Sequence, residues 1–259
     1  MAHMLIFGLG YTAGRLAARL RADGWQVDAT GSAGNLDFAD QEAVQAALVR
    51  ATHVLSSVPP DRKTGQDAVL EHYGASLDHH WIGYLSSTGV YGDAGGAWVD
   101  ESTPIGTGRR SARSDADARW VELGARVFRL PGIYGPGRSS FERLAQGKAR
   151  RIAMPGQVFS RCHVDDIVTG VLAGLEAPAG AYNLADDLPA SSNAVIEEAC
   201  RLSGHKLPPL QTLEEADLSP MALGFYAENR RVANGKAKRV LGWQPQYPTY
   251  REGLRNILA

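Results

Sequence analysis

The chain has 259 residues, 44% of them hydrophobic, which is enough for one large α/β domain with a small additional lobe. Its 27 basic and 28 acidic side chains give a formal net charge of -1, so no overall field attracts nucleic acid or an anionic membrane, and neither is expected as a partner. The two cysteines are too few for a disulfide framework or a zinc site, and no apolar run is long enough to cross a bilayer. We therefore expect no metal site. Since the N-terminus does not have the pattern of a signal peptide, we also expect a cytoplasmic protein.

Strands and helices alternate along the first half of the chain. The predicted strands are MLIFGLG, WQVDAT, HVLSSVPP, WIGYLSST and ARVFRL. The predicted helices between them are RLAARLRADG, DQEAVQAALVRA, DAVLEHYGASL and SDADARWVELG. This alternation predicts right-handed βαβ units around a parallel sheet, which is the doubly wound, Rossmann-type α/β fold.

After about residue 130 the alternation loosens into loops rich in glycine, proline and arginine. Three more helices are predicted there, at VDDIVTGVLAGLE, SSNAVIEEACRLSG and TYREGLRNILA. We therefore expect a sheet domain over residues 4–135, with parts of 160–185, and a small C-terminal lobe over about 136–259, interleaved with the last sheet elements. The lobe is expected to cover the carboxyl ends of the strands, where such sheets bind ligands. Residues 1–3 are interpreted as a cloning remnant ahead of Met4.

A glycine-rich turn joins the first predicted strand to the first predicted helix. Gly8, Gly10 and Ala13 form the pattern G-x-G-x-x-A, in which the first glycine permits a tight turn, the second lets the backbone approach a pyrophosphate, and the alanine allows close packing of the helix on the sheet. A register shifted by one residue would use Gly14 in the third position. The pattern predicts an NAD(P)-binding domain, with Tyr11 of the same turn among the coenzyme contacts.

The residues after the second predicted strand bear on the choice between NADP and NAD. A carboxylate at the end of that strand would bind the ribose hydroxyls of NAD, but the segment ATGSAG has none after Asp28. Ser32 is interpreted as a contact to the 2′-phosphate of NADP, with a plain turn serine as the alternative. Asp37 is interpreted as a partner of the adenine amino group, or otherwise as a loop aspartate ahead of a helix. Ser57 completes the candidate coenzyme contacts, and NADP is favoured over NAD.

Six segments follow one another in the order known from one protein family. They are GLGYTAG, LSSTGVYGD, FRLPGIYGPG, RCHVDDI, AYNLADDLP and VLGWQPQYPTYREGL. Through them the chain resembles, over almost its whole length, an extended short-chain dehydrogenase/reductase of the NAD-dependent epimerase/dehydratase group. The resemblance implies a C-terminal substrate-binding lobe for a small polar molecule, often a nucleotide-sugar, and hydride transfer between a substrate carbon and the nicotinamide. It also implies a homodimer, the form that many relatives adopt.

The active-site residues of this family are matched only in part. Family members use a serine, a tyrosine and a lysine four residues after the tyrosine, and the lysine lowers the pKa of the tyrosine so that it can act as acid and base. Ser87 occupies the serine position. The tyrosine and lysine positions fall on Arg109 and Arg113, or on Arg110 and Ser114 if the alignment shifts by one residue.

The loss of the tyrosine and lysine does not depend on the alignment, because residues 92–133 contain no tyrosine and residues 64–147 contain no lysine. A guanidinium stays protonated, so Arg113 is interpreted as a source of positive charge near the nicotinamide ribose or a substrate phosphate. This departure resembles the atypical subgroup of the family, in which the glycine motif persists, the active site is degraded and NADP is the commoner coenzyme. By that resemblance Asp67 is placed at the position of a recurrent active-site aspartate.

Basic residues gather in the predicted lobe. Arg138 and Arg161 are interpreted as a clamp for a phosphate or carboxylate of the substrate, with Lys148, Arg150 and Arg151 in the same basic cluster. A solvated basic face is the alternative interpretation of this cluster.

Two functions remain open on the sequence. The first is an NAD(P)-dependent epimerase, dehydratase or reductase in which Ser87 orients the substrate hydroxyl and the proton carrier is unidentified. The second is a catalytically inactive NAD(P)-binding sensor or scaffold, which the missing tyrosine and lysine favour. His163 is expected to hold its loop against the following helix rather than to carry protons. The enzyme is the preferred interpretation.

Overall fold

A parallel sheet of six strands lies at the centre of the computed structural model, which describes residues 2–79, 81–106, 108 and 111–259. The strands in chain order are β1 His3–Phe7, β2 Gln26–Ala29, β3 His53–Ser56, β4 Trp81–Ser87, β5 Trp98–Val99, β6 Arg126–Leu130, β7 Gly132–Tyr134, β8 Arg151–Ile152, β9 Arg161–His163, β10 Gly180–Asn183, β11 Leu210–Gln211 and β12 Arg231–Val232. The central sheet has the order β2-β1-β3-β4-β6-β10, and the short strands pair as β5-β12, β7-β9 and β8-β11. The Rossmann-type α/β sheet predicted from the sequence is confirmed.

Ten α-helices occur within the residues that the structure describes. They are α1 Tyr11–Ala22, α2 Gln41–Arg50, α3 Ala68–Tyr73, α4 Ser111–Glu122, α5 Ser140–Ala145, α6 Val164–Ala173, α7 Ser192–Ser203, α8 Pro220–Tyr226, α9 Gly235–Leu241 and α10 Tyr250–Leu258.

The first strand shows how the helices come to cover both faces of the sheet. Successive side chains of a strand point to opposite faces, and all five residues of β1 are buried. Met4 and Ile6 pack with α1 and α6 in one apolar cluster, whereas Leu5 and Phe7 pack with α2, α3 and α4 in another. The sheet is therefore the middle layer of three.

The chain reverses direction across the sheet next to β1. It leaves β1 for β2 on one side and then returns to the other side for β3, so that β1 pairs with both. In open α/β sheets such a reversal opens a crevice at the carboxyl ends of the strands, and ligands bind there. The glycine turn after β1 lies at this crevice.

The last part of the chain divides between the sheet and a lobe. Helix α6 packs against α1, and Arg15 of α1 pairs with Asp165 of α6 at 3.0 Å. His163 is fully buried and caps α6 by accepting a hydrogen bond from the Asp165 amide at 3.3 Å, which is the structural role expected of it. Helices α5, α7 and α10 share a separate apolar cluster that forms the lobe. The domain boundary near residue 135 stays a prediction.

Several elements lie outside the sequence predictions. The sixth sheet strand, β10, was not predicted, and neither were α5, α8, α9 or the three pairs of short strands. Each of these is seven residues or shorter, too short to show a clear periodicity. Strand β1 begins at His3, one residue ahead of Met4. Among the described residues, no helix combines the length and the apolar character needed to cross a membrane.

Candidate functional site

The first glycine of the turn has a backbone conformation that a side chain would strain. Gly8 has φ +86°, and a Cβ added to it would lie 2.9 Å from Val58 Cγ2. Its amide donates to the Thr30 hydroxyl at 3.1 Å, and its carbonyl accepts from the Ser57 hydroxyl. Gly8 is thereby held between the segments that follow β2 and β3, and no other residue type fits this position without strain.

Open space lies above the second glycine. Gly10 directly precedes α1, and a Cβ added to it would have no atom within 4 Å. Ala13 is 1% exposed and belongs to the apolar cluster between α1 and the sheet, whereas a Cβ on Gly14 would again meet nothing within 4 Å. Of the two registers that the sequence left open, the structure thus places Ala13 against the sheet. A ligand can approach the amides of α1 over Gly10.

Two cavities meet above the carboxyl ends of the strands. The turn cavity, of about 500 Å³, extends from Gly10 to the end of β4, and the basic cavity, of about 640 Å³, lies between β7, β9 and the lobe. The residues that line both are Gly132, Ile133, Arg138, Phe159, Ser160 and Phe225. A ligand that filled both cavities would span from the glycine turn into the lobe.

Seven residues predicted from the sequence line the turn cavity: Gly10, Tyr11, Ala13, Ser57, Ser87, Arg113 and Arg138. Ser87 ends β4, and its hydroxyl accepts a hydrogen bond from the Gly89 amide at 3.1 Å. Arg113 lies in the first turn of α4 and faces Tyr84; burial raises the pKa of that tyrosine, and the Arg113 charge opposes the rise. Arg109 and Arg110 lie outside the described residues.

Asp67, Ser32 and Asp37 do not line either cavity. Asp67 is 1% exposed, and one of its carboxylate oxygens caps α3 by accepting from two amides of the first turn. The other oxygen accepts from the indole N–H of Trp120 at 2.8 Å. Both oxygens of Asp67 therefore have structural partners. Ser32 and Asp37 are exposed beyond the end of β2.

A buried polar network lies beneath the turn cavity. Arg129 of β6 donates to both carboxylate oxygens of Asp117 of α4, with distances of 2.7 to 3.3 Å. Asp117 also accepts from the Ser86 hydroxyl at 2.6 Å. Arg129 donates to the Tyr91 hydroxyl at 3.0 Å, and that hydroxyl donates to Asn183 at 2.8 Å. The network ties α4 to the sheet directly below the cavity.

Cationic side chains dominate the basic cavity. Among the described residues, its lining contains Arg138, Arg143, Lys148, Arg150 and Arg161, with Glu142 as the one carboxylate. Glu142 is occupied by the capping box of α5, in which it accepts from the amide and the hydroxyl of Ser139. Arg151 of the sequence cluster pairs instead with Glu197 at 2.7 Å and does not line the cavity. The excess of positive charge favours an anionic ligand group.

Arg161 lies close to a buried carboxyl group. Asp186 is 2% exposed, and burial raises its pKa to about 8 although the Arg161 charge opposes the rise. One oxygen of this carboxyl has no hydrogen-bond partner among the described residues. Burial lowers the pKa of the Arg161 guanidinium, which donates to the Ala190 carbonyl at 3.2 Å.

Part of the turn cavity comes from residues that the sequence analysis did not identify. These are Val158, Phe159, Ser160, Phe225, Glu228, Arg230 and Val232. Glu228 and Arg230 form an ion pair at 2.9 Å. The residues lie on short elements far along the chain from the glycine turn, and no local motif marks them. Among the described residues, no group of three or more His, Cys, Asp or Glu side chains could hold a metal ion.

Comparison with curated proteins finds two kinds of relative. No protein-family model matches the chain. A 3-diazoavenalumate denitrifying reductase from a Streptomyces species is 33% identical over 145 residues, a match that covers 51% of this chain and about half, 47%, of that reductase. Protein YeeZ of Escherichia coli K12 is 28% identical, and the alignment covers 96% of this chain and 97% of YeeZ.

Solved structures match over the full length. A conserved protein of unknown function from Silicibacter pomeroyi is 41% identical, with a TM-score of 0.88 over 100% of this chain and 98% of that protein. The human epimerase family protein SDR39U1, solved with NADPH, has a TM-score of 0.78 at 14% identity over 98% of both chains. The dTDP-glucose 4,6-dehydratase of Bacillus anthracis, solved with NAD, has a TM-score of 0.78 at 17% identity over 100% of this chain and 96% of the dehydratase. The chain shares the fold of these epimerase and dehydratase structures, which is the fold that the sequence segments imply. It belongs to one family with the Silicibacter pomeroyi protein.

Proposed function

We propose that the chain binds a nicotinamide dinucleotide at the glycine turn and acts by hydride transfer on a small polar or nucleotide-sugar-like substrate held in the adjoining cavities. The observation that carries the proposal is the open space over Gly10, where the first amides of α1 border a cavity that continues to Ser87. Gly8 has the positive φ, and Ala13 the close packing, that a dinucleotide turn needs. A pyrophosphate there would accept backbone hydrogen bonds without meeting a Cβ.

NADP is proposed in preference to NAD. The carboxylate nearest the end of β2 is Asp28, and it is already held by His3 at 3.0 Å and Asn35 at 2.8 Å, so it is not available to ribose hydroxyls. Ser32, exposed just beyond the strand, is the proposed contact to the 2′-phosphate, and Asp37 the proposed contact to the adenine. SDR39U1 was solved with NADPH and the dehydratase with NAD, so these neighbours support a nicotinamide dinucleotide of either kind, and NAD is the alternative.

The cavity residues support a role in orienting the substrate. A bound coenzyme would supply or accept the hydride. The Ser87 hydroxyl, at the end of β4, would bind a substrate hydroxyl or carbonyl, and Arg113 would stabilise negative charge beside it. Among the described residues lining the turn cavity, Tyr11 and Glu228 carry groups that exchange protons. The Tyr11 hydroxyl donates to the Pro136 carbonyl at 3.0 Å, and Glu228 pairs with Arg230 at 2.9 Å, so each of the two has a partner in this structure.

The basic cavity supports a substrate with a phosphate or carboxylate group. Arg161, predicted from the sequence, lies in its lining with four further cations, Arg138 among them. The planar guanidinium group of Arg161 matches two oxygens of such a group.

A second candidate function is a coenzyme-binding sensor without turnover. The observation in its favour is that the described lining of the turn cavity contains no lysine, and that its tyrosine, Tyr11, is bonded to a backbone carbonyl. This function would use the same glycine turn but would not need Ser87.

Thermal unfolding with NADPH, NADP, NADH and NAD tests coenzyme binding. We expect NADPH or NADP to raise the melting temperature of the wild type by several degrees, since a ligand at about 100 times its Kd adds about 2.7 kcal/mol to the free energy of unfolding. Gly10→Ala should have nearly the melting temperature of the wild type without coenzyme, because its Cβ has free space. With coenzyme it should lose most of the rise, because the added methyl group would block the pyrophosphate. Gly14→Ala, also with free space, should keep the rise. If none of the four dinucleotides stabilises the wild type, the proposal is wrong.

Turnover separates the enzyme from the sensor. Oxidation or reduction of the coenzyme is followed across a panel of sugar nucleotides and carbonyl compounds, with Ser87→Ala as the variant. The enzyme predicts turnover with at least one compound, lost in Ser87→Ala while coenzyme affinity stays unchanged. Tight coenzyme binding with no turnover across the panel would favour the sensor.

A further inference from the structure

Arg138 presents an unpaired guanidinium where the two cavities meet. It lines both, and within the described part of the chain its side chain forms no hydrogen bond or ion pair; it lies over the ring of Tyr11, with 5.7 Å from Cζ to the ring centroid. A tight turn fixes its backbone, since its amide donates to the Gly135 carbonyl at 2.9 Å and the Gly135 amide donates back at 3.2 Å. A Cβ on Gly135 would lie 2.7 Å from the Tyr11 hydroxyl, so only glycine lets the turn come this close. The fold therefore places a positive charge here that no anionic side chain of the described residues neutralises.

Tyr11 holds this turn against the start of α1. Its hydroxyl donates to the Pro136 carbonyl at 3.0 Å, in the middle of the turn that carries Arg138. A second guanidinium, that of Arg15, lies 5.4 Å from the same ring, but it is paired with Asp165 at 3.0 Å. Of the two arginines beside the ring, Arg138 is the one whose charge is available to a ligand.

We infer that Arg138 binds the diphosphate of the coenzyme and that Tyr11 is a positioning residue that holds it there, an inference that rests on the proposed function. Tyr11 is the first residue of α1, so a guanidinium beside its ring borders the same space as the amides of that helix end. The arginine fork can bind two phosphate oxygens at once while the amides bind others. The sequence pattern assigned Arg138 to the substrate, and the contact with Tyr11 assigns it to the coenzyme.

The charges of the two cavities support assigning Arg138 to the coenzyme and the remaining cations of the basic cavity to the substrate. Without Arg138 the basic cavity still has four cations, Arg143, Lys148, Arg150 and Arg161. In the turn cavity, by contrast, Arg230 is neutralised by Glu228 at 2.9 Å. The diphosphate would bring two negative charges to the helix end that begins at Tyr11, whose ring lies beside the Arg138 guanidinium.

Coenzyme titrations without substrate test the inference. Binding of NADPH and of ADP-ribose, which keeps the diphosphate but has no nicotinamide, is measured for the wild type, Arg138→Ala, Arg138→Lys and Arg143→Ala. We expect Arg138→Ala to raise the Kd of both ligands by about tenfold or more, and Arg138→Lys to raise it less, because a charged hydrogen bond is lost in the first and only the fork in the second. Arg143→Ala, an arginine of the basic cavity alone, should leave both affinities unchanged.

Tyr11→Phe tests the positioning role. It removes the bond to Pro136 but keeps the ring, so we expect a Kd raised by about threefold, and no further rise when it is added to Arg138→Ala, since both act through one contact. If the wild type binds ADP-ribose and Arg138→Ala binds it with the same affinity, this inference is wrong and the proposed function is unaffected. A loss confined to NADPH would place the guanidinium at the nicotinamide and overturn it too. A wild type that binds neither ligand overturns both this inference and the proposed function.

Discussion

Asp117 is the residue on which the network beneath the turn cavity depends. Its fully buried carboxylate accepts from Arg129 and from Ser86, so its loss leaves a guanidinium that is itself buried without a counter-charge. Asp117→Asn should therefore lower the free energy of unfolding by about 3–5 kcal/mol, as expected when one partner of a buried ion pair is removed. Urea unfolding followed by circular dichroism measures this loss.

An exposed ion pair between α4 and α3 provides the control. Arg119 pairs with Glu71 at 2.8 Å, with 47% and 40% of the two side chains exposed. Glu71→Gln should cost less than about 1 kcal/mol, because solvent screens such a pair. Equal losses for Glu71→Gln and Asp117→Asn would show that burial does not decide the strength of these pairs.

The residues that the sequence could identify are those whose role is local. Gly8, Gly10 and Ala13 act within one turn between a strand and a helix, so their spacing alone predicts the geometry that the structure has. Phe225 and Glu228 reach the same cavity from far along the chain, and only the tertiary fold brings them there. No spacing in a single sequence carries that information.

At the scale of elements, α10 is held against β7 by a contact that only glycine permits. A Cβ on Gly253 would clash with the Tyr134 hydroxyl, and that hydroxyl has no hydrogen-bond partner in the part of the chain that the structure describes. Gly253→Ala should therefore lower the free energy of unfolding by about 1–3 kcal/mol through overpacking, although alanine is the better helix former. Chemical denaturation measures the change.

Tyr134→Phe should act in the opposite direction. It removes a buried hydroxyl without a partner, so we expect a stability equal to or about 1 kcal/mol above that of the wild type. It should also recover part of the loss in Gly253→Ala, since the clashing atom is gone. If Gly253→Ala stabilises the protein by itself, α10 does not pack on β7 as described.

Long elements were predicted and short ones were not. The buried stripe of α1 and the apolar run of β4 each extend over enough residues to show their period. Strand β10 has only four residues, and its place beside β6 depends on pairing across the chain rather than on its own composition. The lobe, built from such short elements, was predicted in outline only.

For the whole molecule, one buried carboxyl should make stability depend on pH. Burial raises the pKa of Asp186 from 3.8 to about 8, so between these values the folded state keeps a proton that the unfolded chain has lost. The unfolded state then binds fewer protons, and stability must fall as the pH rises through this window. Asp186→Asn, which stays neutral, should remove the fall, so that its stability relative to the wild type rises by roughly 2–4 kcal/mol from pH 5 to pH 8.

Thermal unfolding of both proteins at pH 5, 6, 7 and 8 measures this difference. The stability of Asp187→Asn relative to the wild type should not rise in this way between pH 5 and pH 8, because that neighbouring carboxylate pairs on the surface with Lys238 at 2.6 Å. Parallel pH profiles of the wild type and Asp186→Asn would contradict the raised pKa.

The pairing of β12 with β5 has a consequence for how the protein matures. The segment that leads into β12 supplies Glu228 and Arg230 to the cleft, yet it follows all six strands of the central sheet in the chain. Because domains fold from the N-terminus during translation, these six strands can assemble before this wall of the cleft has been synthesised. Small molecules would then bind only after Arg230 has left the ribosome, and would stabilise a late step of folding rather than guide the early ones.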